Sequence, residues 1–224
     1  MKLGVLVIDV TPVRASKPFR CVFTARAVSL LGIGLLVVAV PAQTYELTES
    51  SLHVAGVATT LGLSVCVGSI AGGVLADRCE RRCTIQLARS AAGLSFLVLG
   101  INALLSEPSL AIIYAASAVD GLAGGISGTT LMAVIPTLVP ERKLAAAGAL
   151  TALTTDIGTV VSPALAGLMI AFGGITLTYF VAVVATAVTV LLIHGLGQSP
   201  APGKNHELPL RALVSGLRFA TRAG

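Results

Sequence analysis

The chain has 224 residues, of which 55% are hydrophobic and only 11% charged, with a mean hydropathy of +0.93. A soluble domain of this length carries about 25% charged residues, so the composition excludes an ordinary water-soluble globule and implies apolar surroundings, as lipid provides. The net charge of +5 does not imply nucleic acid: no basic stripe interleaved with aromatic residues is present to stack bases, and Lys and Arg gathered on cytoplasmic loops give the same balance.

Residues 1–19 read as a basic N-terminal segment. Its apolar run, Leu3 to Val10, is short and leads to Pro12, Arg14 and Lys17 rather than to a small-residue cleavage site, so no cleavable signal is expected. Six apolar segments follow, at 20–45, 52–76, 83–105, 109–138, 144–171 and 175–197. Each reaches the roughly 20 residues that cross a bilayer. The expected fold is therefore an all-α membrane bundle of six transmembrane helices over 20–197. The first and fourth segments carry Val38-Ala-Val-Pro41 and Ala133-Val-Ile-Pro136. Three spans separate these runs, as in an inverted 3+3 repeat.

Polar residues punctuate the spans. Arg26 enters the first about one and a half turns deep, where it either snorkels to the cytoplasmic surface or pairs inside the bundle. The second span ends in Gly73-Val-Leu-Ala-Asp77-Arg78-Cys-Glu-Arg81-Arg82, a small residue, an acid and three arginines crowding a short loop. Cys79 and Cys83 lie four apart, with no histidine nearby and no second pair to complete a zinc set, so reduced thiols are expected and no metal. Asp120 in the fourth span and Asp156 in the fifth are the acids deep inside apolar segments, each about eleven or twelve residues from a span end. An ionised acid at that depth costs at least about 2.5 kcal/mol, which makes both candidates for function. Low-dielectric surroundings favour the neutral carboxyl, the condition a proton-coupling site needs; the plain alternative is hydrogen bonding to neighbours such as Thr154 and Thr155. Gly158, Ser162, Pro163 and Gly167 form a bend-prone run in the fifth span. Glycines also crowd the second and fourth spans, where Gly68 and Gly72 allow close helix approach. After Gly197 the run Ser199-Pro-Ala-Pro-Gly breaks the helix, and Leu208 to Phe219 reads as a short basic amphipathic helix on the membrane surface.

Loop charge sets orientation. Lys2, Arg14, Lys17, Arg20, Arg78, Arg81, Arg82 with the nearby Arg89, Arg142, Lys143, Lys204, Arg211, Arg218 and Arg222 fall on one side of the six spans. The other side offers Glu46, Glu49, His53, Glu107 and the Phe172-Gly-Gly174 turn, without Lys or Arg. This split predicts both termini in the cytoplasm. No nucleophile–base pair, metal cluster or phosphate loop suggests an enzyme or a cofactor.

The loop 73–82 resembles the loop motif of the major facilitator superfamily of secondary transporters. The likeness extends to Phe19–Arg26, Val38–Gln43, Asn102–Leu110, Asp120-Gly121, Ser162-Pro163 and Leu208–Phe219, and these segments are similar to the siderophore (enterobactin) exporter branch. The resemblance implies a proton-coupled exporter of siderophores in the inner (plasma) membrane, with the bilayer, a small-molecule substrate and protons as its partners. Multidrug or macrolide efflux, or a non-transporting six-helix fragment or subunit, are the alternatives. Members typically have twelve spans, so the chain is expected to be the N-terminal half, with 198–224 opening the linker to a missing C-terminal six-helix half. The resemblance gives Asp77 the role of a latch to that half, with Gly73 allowing the approach, and makes Gly158, Ser162, Pro163 and Gly167 an antiporter-type bend in which Ser162 replaces the usual glycine. It adds an anionic catecholate to the possible partners of Arg26, beside Asp156. Two departures stand out: Glu80 occupies a position where the superfamily usually has glycine, and Asp156 one where the branch carries a basic residue.

Overall fold

The computed structural model describes residues 17–138 and 140–194. The expected linker and amphipathic helix, and all but the last residues of the N-terminal segment, lie outside the described residues. Helices α1 (Lys17–Thr48), α2 (Ser51–Arg78), α3 (Arg81–Leu104), α4 (Leu110–Leu138) and α5 (Leu144–His194) follow in order, with a 3₁₀ turn at Glu141–Lys143 before α5. All five helices are long and apolar enough to cross a membrane.

The first four helices begin and end close to their expected places, with two differences, while the fifth and sixth expected segments, 144–171 and 175–197, form one helix, α5, so five helices stand where six were expected. Helix α1 starts at Lys17, inside the segment 1–19, because Pro18 in a first turn costs no hydrogen bond: the first N–H groups of a helix have no intrahelical acceptor. The second difference is the connection at 77–82. Asp77 and Arg78 complete the last turn of α2, Arg81 and Arg82 open α3, and only Cys79 and Glu80 link the two.

Helix α5 contains the fold's main change of direction. Its 51 residues would run about 75 Å if straight, more than twice the apolar thickness of a bilayer. Gly174 breaks it with φ 76° and ψ 173°, a backbone that residues bearing a Cβ rarely adopt. The contacts with α1 record the consequence. Before the break they run parallel to α1: Arg26 meets Thr155, and Leu30 meets Gly158 and Ser162. After it they run antiparallel: Gln43 meets Tyr179, Ala25 meets Thr189 and Cys21 meets Leu192. Both arms of α5 therefore flank the same length of α1.

Helices α2 and α4 run parallel, from Tyr114 beside His53 to Thr130 beside Gly72. An added Cβ on Gly68 would strike the backbone of Leu122, and one on Gly125 the backbone of Val65 and Ser69. These glycines bring two backbones together in the absence of any hydrophobic drive between helices in lipid. The buried core joins α1, α3, α4 and α5 through Leu35, Ala39, Phe96, Leu99, Ile113 and Tyr179. A second cluster at the other end holds Val22, Ile85, Leu131, Val134 and Ile193. By contrast α2 buries little, with Leu63, Val67 and Ile70 all exposed.

Candidate functional site

The arginine-rich turn divides into two kinds of residue. Arg81 donates from Nε to the Ala76 carbonyl (3.3 Å) and from Nη1 to the Ala133 carbonyl (3.1 Å). It thereby satisfies a last-turn carbonyl of α2 and ties α4 to it. Arg82 donates from Nη2 to the carbonyl of His194, whose Nδ1 lies 3.1 Å from Gln86 Nε2. Those two arginines bind the ends of α2, α3, α4 and α5 together. Gly73, Asp77 and Arg78 are instead exposed, and the space where a Gly73 Cβ would stand is open.

Deeper in the bundle, Arg26 Nη2 donates to Thr155 Oγ1 at 3.2 Å. The expected alternatives for Arg26 included Asp156; the structure gives it Thr155 instead. Successive helix residues point about 100° apart, so Thr155 faces α1 while Asp156 is exposed. The Thr155 hydroxyl in turn donates to Thr151 O (2.9 Å).

Asp120 is half-buried on α4. Arg89 on α3 is only 8% exposed; Asp120 attracts it and Arg26 repels it. Arg89 thus lies within electrostatic reach of a carboxylate on α4 and a guanidinium on α1.

Asp120 also borders a cavity of about 160 Å³. Its walls are Ile33, Leu36, Val37, Val40 and Pro41 of α1, Val57, Ala58 and Leu61 of α2 and Leu99 of α3, with Ser117 and Asp120 on α4. The Ser117 side chain is 2% exposed, and its Oγ has no hydrogen-bond partner. Pro41 lies inside α1 and lacks the N–H that the Val37 carbonyl would otherwise accept.

The bend-prone run is split as well. Gly158 and Ser162 are buried against α1: Ser162 Oγ donates to the Leu30 carbonyl at 3.4 Å, and an added Cβ on Gly34 would overlap the Ser162 side chain. Pro163 lies within the helix, and Gly167 is exposed with nothing nearby. Cys21 Sγ approaches the Leu192 carbonyl (3.1 Å), while Cys66, Cys79 and Cys83 are free and exposed. Among the described residues no cluster of His, Cys, Asp or Glu suits a metal ion.

The sequence profile of the Major Facilitator Superfamily matches residues 22–222. The chain belongs to the major facilitator superfamily. It is 44% identical over 201 residues to the enterobactin exporter EntS of Shigella boydii serotype 18, and 43% identical over the same length to EntS of Escherichia coli O1:K1 and of E. coli O139:H28. Each match covers 90% of this chain and 48% of the relative, so the chain spans about half the length of the curated relatives it matches.

Within this superfamily chain, three interior groups escaped the sequence reading. Arg89 was counted with the cytoplasmic cations, yet it lies eight residues into α3, about 12 Å from the helix start, too deep to be a loop charge. Ser117 precedes Asp120 by three residues and so shares its face. The buried hydrogen bond from Tyr179 Oη to Gln43 Oε1 (2.7 Å) joins residues 136 apart, which no local pattern reveals.

Proposed function

We propose that this chain is the N-terminal six-crossing bundle of a secondary transporter that exports siderophores of the enterobactin type across the inner membrane, driven by protons. The observation that carries the reading is the 43–44% identity to enterobactin exporters along 90% of the chain. The reversal at Gly174 supports counting the two arms of α5 as separate crossings, which makes six and returns His194 to the cytoplasmic side with Arg82. A second six-helix half would close the substrate cavity, as transport sites of this architecture lie at the interface of repeats.

In this reading the exposed Asp77 and Gly73 face the second half and form the latch, while Arg81 and Arg82 hold the helix ends that carry it. Asp120 is the better candidate of the two acids for the coupling proton, because it is half-buried within electrostatic reach of the buried Arg89, whereas Asp156 is exposed. Asp156, exposed on α5, faces the space the second half would close. The packed pair Gly158 and Ser162 fixes the bend at Pro163 against α1. The test is export of enterobactin from cells that lack their own exporter and carry the full-length reading frame. Loss of export with the proton gradient collapsed is expected. Equal secretion with and without the frame would sink the reading.

A further inference from the structure

We propose that the segment 208–219 of this chain docks on the groove between α2, α3 and α4 and lies as a strap across the α2–α3 turn. The contact needs no transported molecule and stands apart from the export reading.

The groove is apolar along its length and acidic at its mouth. Leu75 of α2, Leu87 and Ala91 of α3, and Leu122 and Ile126 of α4 line it. From Cys83 to Ala91 it follows α3 for eight residues, about 12 Å. Its volume is about 650 Å³, about four times that of a cavity that takes up benzene. Leu87 and Leu122 are exposed within it, so the described bundle leaves it uncovered. Cys79, Glu80 and Cys83 stand at the mouth. Glu80 is half-buried and, among the described residues, has no ion-pair partner. Its neighbours Arg81 and Arg82 are turned instead to the carbonyls of Ala76, Ala133 and His194. An unpaired carboxylate at this mouth repels the phosphate of a phospholipid and attracts a guanidinium.

The chain itself supplies the complement. The described part of α5 ends at His194, held to Arg82 and Gln86 of α3, the helix that walls the groove. Residue 208 lies fourteen residues further on, a reach of up to about 46 Å. On a helix, Leu210, Leu213, Val214 and Leu217 share one face, and Arg211 and Arg218 lie together on its flank. The leucines fill the mouth of the groove, and one arginine meets Glu80. Glu80 stands where the superfamily usually has glycine, and the strap gives that carboxylate its partner. The tether keeps the segment at high local concentration over the site.

The 224-residue chain, with Cys83 as its one native thiol, is placed in phospholipid nanodiscs and given Leu213→Cys or Ser215→Cys. Mild oxidation should join position 213 to Cys83 within one chain about five times faster than position 215, which lies on the opposite side of the helix. Glu80→Arg should slow the crosslink at 213 about fivefold. Circular dichroism should show unchanged helix content, because the Glu80 side chain makes no cap hydrogen bond to α3. Adding Arg211→Glu and Arg218→Glu to Glu80→Arg should restore the crosslink. Equal rates at 213 and 215, or indifference to the charge reversal, would overturn the strap. Disulfides only between chains would overturn it and give the groove to a second copy. A phospholipid retained by the purified chain in native mass spectrometry, with no disulfide between 83 and 213, would overturn it and give the groove to lipid.

Discussion

At the residue scale, the charged side chains sort by whether the fold gives them partners. Arg81 donates two hydrogen bonds to carbonyls on two helices, and Arg78 projects exposed from the neighbouring turn. Arg81→Ala should therefore lower the stability of the purified chain by about 1–3 kcal/mol, while Arg78→Ala should stay within about 0.5 kcal/mol; denaturant unfolding in detergent measures both. The same logic applies to the acids. Asp156→Asn should leave stability unchanged, since Arg26, for which Asp156 was one possible partner, donates to Thr155 instead. If the proposed proton-driven export by a two-half protein holds, Asp120→Asn in that protein should preserve expression and abolish efflux, because Asn keeps the size and most hydrogen bonding but cannot titrate. Efflux by Asp120→Asn at the normal rate across a pH gradient would move the coupling site elsewhere. That Asp120 lies inside a span was legible from its position in an apolar run. That Arg89 comes within electrostatic reach of it was not, because sequence places a residue along a helix axis but does not say which neighbour its face meets.

At the element scale, spacing and composition were enough to find the helices, since twenty apolar residues without charge have few alternatives in lipid. The pairing of helices was not legible. It depends on which stripe of small residues faces which, and glycines cover several faces of α2 and α4. Gly124 and Gly125 differ only in direction: Gly125 abuts the backbone of α2, and Gly124 has nothing within 4 Å. Gly125→Ala should destabilise the bundle by about 1–3 kcal/mol through overpacking, and Gly124→Ala should be neutral or slightly stabilising, because alanine is the better helix former. Matching losses at the two positions would mean that α2 and α4 do not cross as described. The same contrast separates Gly72, which packs on Ile126, from Gly73, which stands in open space. Gly72 thus serves the packing of α2 on α4, and Gly73, which opens the loop motif, leaves that side of α2 clear.

At the scale of the whole molecule, the reversal at Gly174 determines how many times the chain crosses. In a variant cleared of native cysteines, single cysteines at positions 50, 107 and 172 should all react with an impermeant maleimide from outside intact cells. Reaction at 172 only after permeabilisation would mean that α5 does not return. The fold that follows from this reversal also has a consequence for how the protein is made. Among the described helices α1 leaves the ribosome first, yet both of its long partners belong to α5, which emerges after the other four. Until residues 155–192 arrive, Arg26 and Gln43 have neither Thr155 nor Tyr179, whereas α2 and α4 can close on each other as soon as residue 138 is inserted. Among the described helices, then, assembly can start with α2 and α4 in the middle, and α1, though made before them, is enclosed only when α5 arrives to meet Arg26 and Gln43.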